Sequence, residues 1–387
     1  MTHGEVDYIL QLSGFKAGVF PFRYLAIPIS YKRMTVGDCT RLVEKVGDRI
    51  RGWGAKKLSY AGRLVLIRAV LTQLHSFWTR VFVIPLTVID RIEGVCRNYL
   101  WSGSDQYLKT PAVTWEKICN EKRYGGRDIV NARLWNQAVI GKYTWWLAAK
   151  TDHMWIKWVD HVYMKGKSWH EYIPTNNSSW TWHKICQIRD IMKPGYINGK
   201  WMDNNGFYSV SSGYQWLYGQ QNKVTWCPLI LTQMSIPNHS VIGWLVVQER
   251  LMTRERLLKF GFTTDGACFF CQSHLETHQH LLYECKFSQI CWDLMRGWLK
   301  VDFPTPRIIA WCLKWRCKSL MKKQIVFIVI VAAWYHLWHA RNVCRLEALL
   351  ISPSMLLKQV KQDVCRRCKD RVWSLKAHKL PWEPTYD

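Results

Sequence analysis

The sequence predicts a mainly α-helical protein with a minor β component. Apolar residues recur at three- and four-residue spacing along most of the 387 residues, which is the period of amphipathic helices. Extended character is concentrated near the N-terminus. Because 49% of the residues are hydrophobic and 24 are Trp, the chain can bury a large core, and its length suggests two or three domains.

The first segment, Gly18 to Met34, combines aromatic and β-branched residues, with Pro21 and Pro28 bounding a short extended run. This pattern predicts one or two strands. Helical spacing begins after Val36 and dominates the chain as far as residue 165. Further helices are predicted from Ser59 to Phe82, ended by the strand-like FVIP and Pro85, from Thr87 to Trp101, around Trp115 to Cys119 and from Asn131 to Lys150.

The helix after Val36 has an apolar face and a basic stripe. Leu42, Val46, Ile50 and Trp53 share its apolar face. The stripe is formed by basic residues at i, i+4 and i+8, a spacing that suits contact with a phosphate backbone. A solvated surface partly neutralised by Glu44 and Asp48 is the alternative interpretation. The residues of the stripe are Arg41, Lys45 and Arg49.

Residues 166–206 are rich in Gly, Pro and Asn, which predicts a linker with one short helix at Trp182 to Met192. A short strand and a helix follow, and two helices broken around Pro237 are predicted between Trp226 and Phe260. The final ninety residues predict three helices. Their longest apolar run, Ile325 to Ala333, is far shorter than the ~20 residues needed to span a bilayer, so we expect a buried helix.

The charge of the chain is strongly positive, with 54 Lys and Arg against 28 Asp and Glu and a net charge of +26. Such an excess predicts a polyanionic partner, with nucleic acid first and an anionic membrane surface second. The basic segment Lys358 to Trp373 is the candidate for the membrane alternative. The excess is largest in residues 298–387, with 17 basic and 6 acidic residues, and smallest in residues 207–297, with 7 and 6.

The 14 cysteines are dispersed, and the N-terminus lacks the apolar core of a signal peptide. We therefore expect an intracellular protein with free thiols, without a preference between nucleus and cytoplasm. In that setting a close Cys/His group indicates a metal site. The strongest group is the stretch CFFCQSHLETHQHLLYEC, from Cys268 to Cys285.

Cys268 and Cys271 have the spacing of a metal knuckle, and geometry narrows the choice of the other ligands. In a helix His278 and Cys285 would be ~10.5 Å apart along the axis, too far for one tetrahedral ion. His280 is closer, provided that the helix loosens before Cys285. The prediction is a structural Zn²⁺ site made by Cys268, Cys271, His280 and Cys285, with His278 as the alternative to His280.

The sequence offers one weaker metal-site candidate and none of the catalytic motifs considered. Cys365 and Cys368, with His336 and His339, form a second and less favoured metal candidate. No two acidic residues are adjacent in the chain, whereas two-metal polymerase chemistry needs clustered carboxylates. Phosphate-loop and nucleophile-elbow motifs are also absent from the sequence. We therefore expect no enzymatic activity encoded wholly within this chain.

Several stretches together resemble the C-terminal part of plant LINE-type (non-LTR) retrotransposon reverse transcriptases. RYLAIPIS at Arg23 to Ser30 is similar to the end of the reverse transcriptase domain, and Arg49 to Leu71 is similar to the helical region that follows. IEGVCRNYLWSG and VTWEKICNEKRYGGRDI continue the series. SIPNHSVIGWLVVQERLMTRERLLKFGF, leading into Cys268, resembles the zinc-binding module of the family.

This resemblance implies a domain order: a reverse transcriptase remnant, a thumb or connection-like helical region, a linker, the zinc-binding domain and a basic helical region. It implies that the catalytic aspartates lie upstream of this chain, in a truncated arrangement. The corresponding ranges are 1–35, 36–165, 166–206, 207–297 and 298–387.

The resemblance also implies that the chain holds RNA or DNA, without a membrane role. Arg250, Arg254 and Arg256 are the candidate phosphate contacts, with ion pairing to Glu249 and Glu255 as the alternative. Two other functions stay open: a decayed fragment without a selected role, and an accessory part of a polymerase supplied in trans as an upstream fragment.

Overall fold

The computed structural model of the chain is mainly helical, as predicted. It describes residues 3–14, 16, 22–24, 27–29, 35–52, 58–79, 83–104, 106, 111–197, 202, 206–232, 234–305 and 307–372. The predicted N-terminal extended segment contains two strands, β1 (Phe22–Tyr24) and β2 (Ile27–Ile29). They pair antiparallel, with Phe22 opposite Ile29.

Sixteen α-helices are found in the described residues. They are α1 (His3–Ser13), α2 (Thr40–Gly52), α3 (Tyr60–Thr79), α4 (Leu86–Ser102), α5 (Trp115–Cys119), α6 (Ala132–Ala148), α7 (Met154–Val159), α8 (Trp180–Ile197), α9 (Val210–Tyr218), α10 (Cys227–Ile230), α11 (Pro237–Val247), α12 (Arg254–Lys259), α13 (Lys286–Leu299), α14 (Ile308–Lys314), α15 (Leu320–Glu347) and α16 (Pro353–Val372). Helical π-turns at Asp160–Met164 and His280–Glu284 follow α7 and precede α13.

The chain divides into two compact units. The first comprises Met1–Lys56, Leu66–Leu108 and Val130–Gln220. Its core is unusually aromatic: the Trp182 ring stacks on Tyr163 with centroids 4.8 Å apart and also contacts Trp169 and Tyr172. These residues lie in and around the predicted linker, so part of that segment contributes to the core. The domain boundaries inferred from the sequence remain predictions.

The periodicity of α2 is confirmed by its burial. Leu42, Val46 and Ile50 are buried, and α2 packs against α4 within the first unit. Trp53 lies outside the described residues. An apolar residue every fourth position keeps one face toward the core, so the intervening basic residues remain at the surface.

The second unit comprises Lys57–Val65, Lys109–Ile129 and Gln221–Asp387. Helix α15 forms its centre, with α10, α11, α13 and α16 packed around it. The run Ile325 to Ala333 is buried throughout, as predicted. By length and composition α15 would suffice to cross a bilayer, but 67% of its most apolar window is buried within the fold, as is typical of a core helix.

The structure corrects two local predictions. Three helices, α10, α11 and α12, occupy the segment where two were expected, and Pro237 begins α11 at its first turn. Proline is tolerated there because the first-turn N–H groups have no partner within the helix. The strand expected near Gly206 is reduced to one bridge between Met202 and Tyr208. Ser209 then caps α9 through a reciprocal pair of hydrogen bonds with Ser212.

Candidate metal centre

The first half of the candidate centre is a knuckle closed by backbone hydrogen bonds. Ala267 and Leu275 form an antiparallel bridge, and the Cys268 N–H donates to the His274 carbonyl at 2.7 Å. The Gln272 N–H donates to the Cys268 carbonyl at 2.8 Å, and Gln272 takes a left-handed φ of 53° that reverses the chain. This turn holds Cys268 and Cys271 on one short loop, as the C-x2-C spacing predicts.

The second half is the junction between the His280–Glu284 π-turn and α13. The Cys285 N–H donates to the His280 carbonyl at 2.8 Å, which is the i to i+5 bond of a π-turn. Because a π-turn has more residues per turn than an α-helix, residues five apart, such as His280 and Cys285, lie more nearly on the same face. Cys285 is extended, with ψ 134°, and α13 begins immediately after it. The predicted loosening of the helix before Cys285 is therefore confirmed.

These two halves bring four potential ligands together. The ligand atoms of Cys268, Cys271, His280 and Cys285 all lie within 4.8 Å of one another. Cys271 Sγ is 3.3 Å from His280 Nε2, and Cys268 and Cys285 are fully buried. Soft thiolates with one imidazole suit Zn²⁺, which takes four such ligands tetrahedrally. The residues present therefore fit a closed zinc site, with no position left open for a substrate.

Hydrogen bonding between the thiols shapes their acidity. The hydrogen bond from Cys268 lowers the pKa of Cys285 to about 7, whereas the same hydrogen bond and burial raise the pKa of Cys268. Burial raises the pKa of Cys271, but hydrogen bonds from Ser273 and His274 outweigh it and lower the value to about 5. A metal ion needs all three as thiolates, so its binding would displace the proton that Cys268 retains.

The alternative histidines lie elsewhere. His278 Nε2 is 3.0 Å from the Leu251 carbonyl oxygen, so this ring is turned away from the thiols. His274 lies beside the cluster: its ring stacks on His280 with centroids 5.2 Å apart, and its Nδ1 is 2.9 Å from the Ser273 hydroxyl. Of the three histidines, the structure places His280 with the three sulfur atoms.

This cluster lies inside a segment that matches a known family. Residues 208–292 match the family described as zinc-binding in reverse transcriptase. We call residues 208–292 the zinc-binding module. A curated protein of Arabidopsis thaliana, named "Putative ribonuclease H protein", is 30% identical to this chain over 174 residues. The match covers 44% of this chain and 28% of that protein, so the chain spans well under two thirds of its relative.

Within the zinc-binding module, Arg254 is bonded to the knuckle. Its side chain donates to the carbonyl oxygens of Asp265 and Ala267 at 3.0 and 2.9 Å and pairs with the Asp265 carboxylate. Its guanidinium also lies 4.4 Å from the centre of the Phe269 ring. The structure thus gives Arg254 a positioning role, and contact with phosphate stays a prediction for it.

The other two candidate arginines of the module differ in their surroundings. Arg256 donates to the carbonyl oxygens of Glu249 and Leu251 at 3.3 and 3.5 Å. Among the residues that the structure describes, the half-buried Arg250 side chain makes no ion pair. The predicted alternative partner Glu255 pairs instead with Lys259, at 2.6 Å.

The basic stripe of α2 lies in the first unit. Arg41, Lys45 and Arg49 are all exposed, and none of them makes an ion pair with another described residue. Nearby Asp48 pairs with Arg51 at 2.7 Å rather than with the stripe. Within the described part of the chain, the stripe therefore presents three positive charges without an ion-pair partner.

Two residues that support the zinc-binding module were missed by sequence reasoning. Glu276 and Arg341 are both fully buried and form an ion pair at 2.6 Å. The Glu276 carboxylate also accepts hydrogen bonds from the N–H groups of Arg254 and Phe269, at 2.9 and 3.3 Å. Glu276 and Arg341 lie 65 residues apart in sequence, so neither residue spacing nor charge pattern indicated their contact.

The second metal site predicted from the sequence, with Cys365 and Cys368 as ligands, does not form in the structure as predicted. In the described part of the chain, Cys365 and Cys368 belong to neither of the two groups of potential ligands that converge. His336 lies instead 3.0 Å from the Asp363 carboxylate. Helical spacing placed the cysteines on α16 correctly, but it could not show which residue of α16 faces α15.

Proposed function

We propose that this chain is a non-catalytic, zinc-containing nucleic-acid-binding part of a LINE-type retrotransposon reverse transcriptase. The observation that carries the proposal is the convergence of Cys268, Cys271, His280 and Cys285 inside the segment that matches the zinc-binding family. Four protein ligands leave no open coordination position, which is typical of a structural zinc ion. The ion would fix the knuckle against the start of α13.

Electrostatics supports nucleic acid as the partner. The net charge of +26 opposes compact folding by self-repulsion, and a phosphate backbone would relieve that repulsion. The zinc-binding module itself is nearly neutral, so the attraction would come from its flanks. The exposed stripe Arg41, Lys45 and Arg49 and the basic residues of 298–387 are the proposed contacts.

The proposal assigns no chemical step to this chain. Polymerases that use two metal ions need clustered carboxylates to hold them, and the sequence contains no adjacent acidic pair. Within the proposed function the polymerase chemistry belongs to other parts of the reverse transcriptase. The residues of this chain would hold RNA or DNA near that site through contacts to phosphate, which position a strand without reading its sequence.

A salt titration tests this function. Binding of labelled single-stranded RNA and DNA to the full chain would be measured by fluorescence anisotropy over a series of KCl concentrations. If Arg41, Lys45 and Arg49 contact phosphates, replacing all three by Gln reduces the slope of log K against log salt by about 2, at roughly 0.7 per contact for single strands. The affinity falls at every salt concentration.

The matched control removes the same charge from residues that already have local acidic partners. Arg133, Lys157 and Lys259 pair with Asp90, Asp152 and Glu255. Replacing these three by Gln should leave the salt slope nearly unchanged. If the two triple variants lower the salt slope equally, the stripe contributes only through the overall charge of the chain and not through specific phosphate contacts. Absence of binding by the wild-type chain at moderate salt would overturn the proposed function.

A further inference from the structure

A second group of metal-ligating side chains lies where α11, α15 and α16 meet. His336 Nε2 is 3.0 Å from Asp363 Oδ2, and His239 Nε2 is 3.3 Å from the same oxygen. The ligand atoms of all three residues lie within 4.8 Å of one another. We propose that His239, His336 and Asp363 bind a divalent transition-metal ion, with Zn²⁺ as the first candidate, at a site separate from the Cys3His cluster.

The spacing of the donor atoms agrees with coordination to one ion. Zn²⁺ binds imidazole nitrogen and carboxylate oxygen at ~2.0–2.2 Å, so ligand atoms around a tetrahedral ion lie about 3.3–3.6 Å apart. The two distances to Asp363 Oδ2, 3.0 and 3.3 Å, are close to that separation. The two imidazole ligand atoms lie within 4.8 Å of each other, so shifts of the side chains would close the site around an ion.

Both imidazoles are buried, whereas the carboxylate reaches solvent. The side chains of His239 and His336 are only 4% and 8% exposed. Neutral imidazole is a ligand for Zn²⁺ and for other first-row transition metals. Asp363, 31% exposed, supplies the negative charge and a route from solvent.

Neighbouring residues fix the orientation of the rings. The His239 ring stacks on Tyr335 with centroids 4.2 Å apart, and the His336 ring meets Tyr335 edge-on with centroids 5.1 Å apart. This packing restricts the rotation of both rings. The His239 ring contacts Asp363 through its Nε2 atom. Its other nitrogen, Nδ1, is buried and has no hydrogen-bond partner among the described residues.

Three protein ligands would leave one tetrahedral position for water or for an added anion. The ion would join α11 to the consecutive helices α15 and α16 and would stabilise the second unit independently of the Cys3His cluster. The competing arrangement is a metal-free cluster in which both Nε2–H groups donate to Asp363. The two arrangements predict different metal contents.

Metal analysis of the full chain separates them. Purified protein loaded with Zn²⁺ and freed of excess metal should hold two equivalents, whereas a metal-free cluster predicts one. Asp363→Asn and His336→Asn should each lose one equivalent. His339→Asn, which changes an exposed histidine one turn along α15, should keep both. Circular dichroism of each variant shows whether a loss reflects unfolding.

Cobalt gives a readout that distinguishes the two sites without relying on those variants. Co²⁺ at the Cys3His cluster shows a thiolate charge-transfer band, whereas Co²⁺ bound by two histidines and a carboxylate shows only ligand-field bands. Cys268→Ser should abolish the first signal and retain the second equivalent. A wild-type chain that binds one Co²⁺, all of it lost in Cys268→Ser, would overturn this proposal and leave the proposed function intact.

Discussion

Arg341 Nη2 lies 2.6 Å from Glu276 Oε1, and both side chains are fully buried. This pair joins α15 to the loop that ends the zinc knuckle. The Arg341 guanidinium also lies 4.8 and 4.9 Å from the ring centres of Phe269 and Trp338. Because Glu276 accepts from the Phe269 N–H as well, one carboxylate positions both the knuckle and the start of α12.

Breaking this pair from one side should be strongly destabilising. Glu276→Gln or Arg341→Met leaves a buried charge or its partners unpaired, and we expect a loss of about 3–5 kcal/mol in the free energy of unfolding. Urea denaturation followed by circular dichroism measures it. Arg345→Met, at an exposed position of the same helix, should change stability by less than about 0.5 kcal/mol. Single variants as stable as this control would contradict the assigned role.

The choice of imidazole ligand can be tested with neighbouring histidines. His280→Asn should weaken zinc binding by more than about 100-fold, the upper range for loss of an outer partner of a metal ligand. His278→Asn removes a ring that contacts the Leu251 carbonyl, and zinc binding should persist. Competition with a chromophoric chelator gives both affinities. The reverse ranking would show that His278 is the ligand.

Zinc should protect the Cys271 thiol from alkylation. In the metal-loaded chain Cys271 should resist iodoacetamide, and a strong chelator should make it reactive, because its low pKa keeps it as thiolate and thiolate is the nucleophile. Peptide mass spectrometry identifies the labelled positions. Cys39, whose pKa burial raises to about 11, should stay unlabelled in the folded chain with or without metal. Labelling of Cys271 at equal rates in both states would argue against zinc binding there.

Two glycines should respond oppositely to alanine. A Cβ at Gly126 would lie 1.8 Å from the Asn120 carbonyl oxygen, a backbone atom that cannot move away, so Gly126→Ala should destabilise the second unit by more than about 2 kcal/mol. A Cβ at Gly297, inside α13, meets no neighbour within 4 Å. Gly297→Ala should therefore stabilise the protein by about 0.5–1 kcal/mol.

Thermal unfolding of the two variants beside wild type checks the direction of both shifts. Destabilisation by Gly297→Ala would mean that the exposed face of α13 is packed against something in solution. A neutral Gly126→Ala would mean that the Asn120 turn rearranges at little cost.

Much of the fold followed from periodicity. The spacing of Leu42, Val46 and Ile50 identified the buried face of α2, and the run Ile325 to Ala333 identified the core of α15. Local chemistry also predicted correctly that the helix before Cys285 must loosen, because two ligands five residues apart cannot face one ion from a regular α-helix. The break between α11 and α12 was missed because neither Gly nor Pro marks it in the sequence, although Glu249 takes a left-handed φ of 54° there.

The sequence by itself determined the helical class, the excess of positive charge and the knuckle spacing of Cys268 and Cys271, since each depends on residues close together in the chain. Only the tertiary structure decided that His280 and not His278 joins the thiols, that Arg254 holds the knuckle, and that His336 meets Asp363. Such choices depend on which helix faces pack together. That packing is set by the whole core and leaves no periodic signal at the residues themselves.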